Sequence, residues 1–93
     1  MALMKFEWDP HKAKFNLRKH SVSFAEAVTA VLDELSTTAA DPDHSVNERR
    51  FVTFGLSARG RLLAVSYTDR SDSIRIISAR TATKQEREIH EGY

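Results

Sequence analysis

Phe24, Ala27, Val28, Val31 and Leu32 recur at spacings of three and four, which places them on one buried face of a helix. Ser23 stands just ahead of them, with Glu26 three residues further on. This is the form of a capping box, in which the hydroxyl and the carboxylate satisfy free backbone N–H groups at the helix start. Val22 precedes the cap and is placed to pack against Ala27. The pattern predicts a helix that stops near Glu34 or Leu35. A second capping box, Thr83-Lys84-Gln85-Glu86, opens a short helix from Lys84 to about Glu91. Asp9-Pro10 marks a further helix start, because aspartate caps and proline suits the first helical position. That helix runs through about Lys19. Its apolar Ala13, Phe15 and Leu17 form no clean stripe, and Lys12, Lys14, Arg18 and Lys19 make it basic.

The remaining segments read as strands and turns. Phe6-Glu7-Trp8-Asp9 alternates over a few residues and predicts a brief strand at a sheet edge. Ser36 to Asn47 is polar, with Asp41-Pro42-Asp43 in its middle, and reads as a loop. Arg49 to Phe54 is a strand candidate ending at Gly55, followed by the turn signal Ser57-Ala58-Arg59-Gly60. Leu62 to Thr68 is the next strand, Asp69 to Asp72 a polar turn, and Ser73 to Ala79 the last strand, with three isoleucines suited to a pleated, buried setting. Connections this short force antiparallel neighbours. The order is strand, helix, helix, three-stranded meander, helix. It predicts a single α+β domain over residues 1–93, with helices collected on one face of an antiparallel sheet.

Composition narrows the class. A 93-residue chain that is 41% hydrophobic and 29% charged has the balance of a small globular domain with little interior. No run approaches the roughly 20 apolar residues of a membrane helix, and Met1 to Phe6 is too short for a secretion signal. With no cysteine, a disulfide framework and thiolate metal sites are excluded. His11, His20, His44 and His90 are scattered without metal-ligand spacing. The expectation is a cytoplasmic protein with no metal and no cofactor. Net charge is only +1, but its distribution is uneven: eight of the nine arginines lie from Arg49 onward, and four of the five lysines lie before Ser21. Arginine's planar fork suits phosphate better than lysine's point charge does.

Several strings, in order, resemble one family. Phe6-Glu7-Trp8-Asp9-Pro10 with Lys12-Ala13, Asn16, Lys19-His20, Val22-Ser23-Phe24 and Glu26-Ala27 is similar to the opening of the BrnT family. His44-Ser45 with Glu48-Arg49, then Gly60-Arg61-Leu62-Leu63 and Tyr67-Thr68, continue the likeness. Ile74-Arg75-Ile76-Ile77-Ser78-Ala79-Arg80 with Ala82-Thr83 and Glu86-Arg87 completes it over nearly the whole chain. The resemblance implies a RelE-like fold and a toxin of a type II toxin-antitoxin system, an endoribonuclease that arrests translation. It implies a BrnA-type antitoxin as partner, in an assembly of two toxins with two antitoxins, with operator DNA reached only through the antitoxin. Three positions depart from the family's pattern. Ser21 stands where a glycine is usual, Asp33-Glu34-Leu35 where Asp-Pro is frequent, and His90-Glu91 where a tyrosine often precedes the glutamate.

RNA cleavage without a metal needs a group that takes a proton, one that gives a proton, and positive charge for the phosphorane-like state, since the substrate's own 2′-OH can attack. Arg70, Arg75 and Arg80 are the best arginine candidates. On a regular strand Arg75 and Arg80 face opposite sides, so either Arg80 has left the strand or only one of the two belongs to the site. His20 and His90 are the proton-transfer candidates, His20 competing with a role as a helix C-cap. His44 and Glu48 are weaker ones, and Tyr93 lies close to, but not at, the position where the family often has its tyrosine. Lys19, Lys84, Arg87 and Tyr67 are candidate RNA contacts, Tyr67 equally a core residue. Because no acid–base residue stands out, a non-catalytic RNA- or protein-binding module on the same scaffold is the competing reading.

Overall fold

In a computed structural model, residues 4–41 and 49–92 are described. The elements run β1 (Lys5–Glu7), α1 (Pro10–His20), α2 (Phe24–Val31), β2 (Thr37–Ala40), β3 (Arg50–Leu56), β4 (Leu62–Arg70), β5 (Ser73–Thr81) and α3 (Lys84–Glu91). The strands form one mixed sheet in the order β1-β5-β4-β3-β2. The meander is antiparallel as its short turns demand, and α3 has the expected bounds.

Three expectations are corrected. Thr37–Ala40, read as loop, is an edge strand antiparallel to β3. Four small residues with no large apolar side chain carry little strand signal, and it is the partner strand that organises them. The sheet is also not wholly antiparallel, because β1 runs parallel to β5, with Phe6 opposite Ile74 and Glu7 opposite Arg75. Two helices separate β1 from the meander, so connection length sets no direction there. Finally, α2 ends at Val31 rather than near Leu35. The Asp33 carboxylate accepts the backbone N–H of Leu35 at 3.1 Å and that of Leu56 at 2.8 Å, an Asx turn that competes with further helix. These two bonds hold the Asp33 carboxyl below its usual range.

The core lies between α1, α2 and one face of the sheet. Val22, Phe24, Ala27 and Ala30 meet Leu63, Val65, Tyr67, Ile74, Ile76 and Ala79, with Trp8 edge-on to Phe24 at 5.9 Å. Gly55 sits inside β3 rather than ending it. A Cβ there would collide with the carbonyl oxygen of Ala30, so glycine is what lets α2 lie against the strand.

Two polar clusters fasten the helices. The Asn16 amide donates to the carbonyls of Val22 (2.9 Å) and Ala79 (2.8 Å) and accepts the N–H of Ala79 (3.0 Å), pairing β5 as a neighbouring strand would. The Ser23 cap forms, accepting from Glu26 N at 3.0 Å. The Glu26 side chain, however, does not close the expected box. Only 4% exposed, it receives both Nε and Nη2 of Arg61 and the Ser57 hydroxyl at 2.7 Å, and so ties α2 to the β3–β4 turn. The Arg61 guanidinium holds its carboxyl below the ordinary carboxylate range. Ser21, at the end of α1, has the left-handed φ of 57°, which glycine adopts at no steric cost.

Candidate active site

α1 and α2 cover one face of the sheet, and the register decides what the other face displays. In β5 the pairing slips by one residue. Ser66 opposes Ser78 while Tyr67 opposes Ile76, so Ile77 is an extra residue, a β-bulge. The slip shifts the alternation. Ile74, Ile76 and Ala79 point into the core, and Arg75, Ser78 and Arg80 all point away from it. The bulge therefore brings Arg75 and Arg80 to one side, where a regular strand separates them.

Cross-strand partners then fall into rows on this face. Arg70 pairs with Ser73, which pairs with Lys5. Next comes Glu7, Arg75, Thr68 and Arg50, then Ser78, Ser66, Val52 and Ala39, and then Arg80, Ala64, Phe54 and Thr37. Rows two residues apart are about 7 Å apart. Arg75 and Arg70 thus meet at the end of the face near β1, 3.8 Å and 4.0 Å from the Glu7 carboxylate, with Arg50 in the same row as Arg75 but two strands over on β3. Thr68 sits between Arg50 and Arg75, is 1% exposed, and its hydroxyl has no hydrogen-bond partner among the described residues. A buried hydroxyl without a partner is costly in a finished structure, and a ligand oxygen is one thing that satisfies it.

α3 lies at the opposite end of this same face, so the helices are not all collected on one side of the sheet as expected: Glu86 meets Arg80, and Ile89 and His90 meet Thr37 and Phe54. No residue of α3 is buried. Its capping box is complete, Glu86 N donating to Thr83 Oγ1 at 3.1 Å and Thr83 N to Glu86 Oε1 at 2.8 Å. The same Glu86 carboxylate takes a two-pronged contact from Arg80, at 2.7 and 2.9 Å. That guanidinium is the chief cause holding the Glu86 carboxyl down to about 2, and the carboxylate in turn raises Arg80. One turn later His90 places Nδ1 3.4 Å from the Thr37 hydroxyl, in a shallow apolar pocket with Phe54 and Ile89.

The candidate residues are thus divided. Arg70, Arg75 and Arg80 share this face, Arg70 and Arg75 at the Glu7 end and Arg80 with His90 at the α3 end. His20 and Lys19 lie elsewhere, in a groove between α1 and the outer edge of β5. Lys84 and Arg87 are exposed on α3, Arg87 towards the β3–β4 turn. Tyr67 is corrected from a candidate RNA contact to a core residue. It points to the helix side, is 8% exposed, stacks on Phe51 at 5.7 Å and accepts from the Thr53 hydroxyl. His44, Glu48 and Tyr93 lie outside the described residues. Sequence reasoning missed Arg50 and Thr68 as members of the face; only their register against Arg75 identifies them. Among the described residues no three His, Asp or Glu side chains come together as a metal-holding group.

Fold and face together define a small α+β protein that carries guanidinium groups on the sheet face opposite α1 and α2. Residues 8–86 match the family model described as "Ribonuclease toxin, BrnT, of type II toxin-antitoxin system", and the chain belongs to that family. It is a ribonuclease toxin, and its partner is an antitoxin. No curated protein matches the sequence. Among solved structures the fold is similar to the ribonuclease toxin BrnT of Brucella abortus, at a TM-score of 0.65 and 22% identity. The match covers 88% of this chain and 100% of that one.

Proposed function

We propose that the protein cleaves RNA endonucleolytically without a metal ion, on the face that carries Arg50, Arg70 and Arg75, and that it acts in the cytoplasm. The observation that carries this reading is the row Arg75–Thr68–Arg50, with Arg70 beside it. Guanidinium groups there supply the positive charge that a metal would otherwise bring to a phosphate. Arg75 meets the scissile phosphate. The substrate's 2′-OH attacks phosphorus, the bond to the 5′ oxygen breaks, and a 2′,3′-cyclic phosphate and a 5′-OH result. The Glu7 carboxylate, 3.8 Å from Arg75, takes the 2′ proton, and the leaving oxygen is protonated from water; His90, at the opposite end of the face, contacts the RNA strand beyond the scissile bond. Arg80 acts as a positioning residue that holds α3, and with it His90, at the border of the face.

The same charge explains control. A BrnA-type antitoxin, in a complex of two toxins with two antitoxins, inhibits by covering the arginine face and occupying its phosphate sites; operator DNA contacts that antitoxin. RNA cleavage in EDTA by the wild type and by Arg75→Ala tests the reading. The wild type should cut, and the variant should lose about a hundredfold or more, as when one preorganised donor to a developing oxyanion is removed. Cleavage that EDTA abolishes and Mg²⁺ restores would refute metal independence. An Arg75→Ala variant as active as the wild type would refute the assignment of the face.

A further inference from the structure

The groove between α1 and the outer edge of β5 is used by nothing described so far. β1 covers β5 only as far as Arg75, and Asn16 takes over at Ala79. Between them no described strand or side chain pairs with the bulged edge. It forms one side of a groove of about 540 Å³ with Ile77 and Ser78, and α1 supplies the other with His11, Lys12, Phe15, Asn16, Lys19 and His20. These helical positions form one stripe, and His11 to His20 span about 13 Å at 1.5 Å per residue. Phe15 is 61% exposed, with the Lys19 ammonium over its ring at 5.8 Å. α1 carries Lys12, Lys14, Arg18 and Lys19 and not one carboxylate. Ser78 also belongs to the arginine face, in the row next to Arg75. The groove and the face therefore meet at the bulge.

We infer that this groove is a second nucleic-acid subsite, holding single-stranded RNA that flanks the bond being cut. The inference rests on the arginine face being the cleavage site. A strand leaving that face over Ser78 enters the groove. Its phosphates lie against Lys12 and Lys19, and a base stacks on Phe15. An exposed aromatic flanked by cations is how single strands are bound without a sequence code, because every base has a π-face. The occupant is a polyanion because the helix offers only positive charge to it.

The test uses an uncleavable 2′-O-methyl oligoribonucleotide of about 12 nucleotides and a dinucleotide, whose single phosphate is held at the arginine face. Affinity is read by fluorescence anisotropy between about 50 and 200 mM salt. Phe15→Ala should weaken the long strand about fivefold to a hundredfold, the range of a single base stack, and leave the short one unchanged. Phe15→Leu keeps the apolar bulk but not the ring, and should also bind weakly. Lys12→Ala with Lys19→Ala should flatten the salt dependence of log K by about 1.4, about 0.7 for each phosphate that is no longer neutralised. Arg75→Ala should weaken both strands, and this arm reports on the cleavage face independently of the groove.

Unchanged affinity and salt dependence in the groove variants would overturn the subsite while leaving the face intact. So would full binding by Phe15→Leu, or loss of antitoxin capture by variants that bind RNA normally. The last result would give the groove to the protein partner. Failure of the wild type to bind the long strand would overturn both assignments.

Discussion

Replacing Glu86 with glutamine separates two roles for Arg80. Glutamine keeps the shape and the acceptor of the capping box but removes the charge that engages Arg80 at 2.7 and 2.9 Å. If Arg80 touches phosphate, releasing it leaves activity intact or raises it. If Arg80 positions α3, Glu86→Gln and Arg80→Ala should be equivalent. The magnitude follows from the carboxyl, held from its ordinary value of 4.5 down to about 2. At 1.36 kcal/mol per decade this is at most about 3.4 kcal/mol. The pair is partly exposed, Arg80 by 42% and Glu86 by 26%, and screening by water reduces it to about 1 kcal/mol. A helix without a buried residue has little else to hold it, so this clasp governs its local opening.

Hydrogen exchange over α3 should therefore accelerate about fivefold in either variant, and the double variant should add nothing further, because both changes remove the same ion pair. Cleavage should fall by a similar factor in all three. The sign of the pH dependence is fixed. Glu86 has a lowered carboxyl in the folded state, so the clasp is complete above pH 4.5 and is lost as pH falls from 4.5 towards 2. Wild-type protection of α3 should decline through that window, and Glu86→Gln should show no such decline. Glu86→Gln cutting RNA as fast as the wild type while Arg80→Ala is inactive would refute the positioning role and return Arg80 to the substrate.

Two further variants test how the faces are built. Asn16→Ala leaves the N–H and the carbonyl of Ala79 without their partner at a buried site, and should cost about 2–4 kcal/mol in chemical denaturation; a loss under 1 kcal/mol would mean that water replaces the amide. Gly55→Ala drives a methyl into the Ala30 carbonyl, so α2 must shift. It should destabilise by about 1–3 kcal/mol, visible as a lower thermal midpoint, and a neutral result would mean that α2 does not lie where the structure puts it.

What the sequence makes legible divides along physical lines. α3 and the start of α2 are readable because capping is local chemistry within four residues, and the meander because short turns leave its strands one arrangement. β2 is invisible, since Thr37–Ala40 has no pattern of its own and exists as a strand only against Phe51–Phe54. Glu26 shows the limit of a local motif. Its spacing from Ser23 suits a capping box, yet Arg61, thirty-five residues away, outcompetes the helix terminus with a two-pronged ionic contact. Tyr67 cannot be resolved from composition either. Alternation gives two faces without saying which is covered, and the covered one is set by α2 packing over Gly55.

The bulge at Ile77 is the least legible feature and the one on which most depends. Period-two reasoning assumes an unbroken ladder, and under it Arg75 and Arg80, five residues apart, must separate. One inserted residue makes the odd spacing behave as an even one, and both arginines reach the face opposite α1 and α2. The insertion falls where β5 changes neighbours on its outer side, after β1 ends at Arg75 and before Asn16 takes Ala79. On that outer side no described strand pairs with the extra residue, so the bulge disturbs only the ladder with β4. Deleting Ile77 tests this directly. The shortened strand pairs regularly with β4, Arg75 and Arg80 stay on the same side, and the chain should fold and retain the arginine face. Its outer edge loses Ile77, one wall of the groove against α1. A bulge required for the arginine rows would instead make the deletion unfold or inactivate the protein.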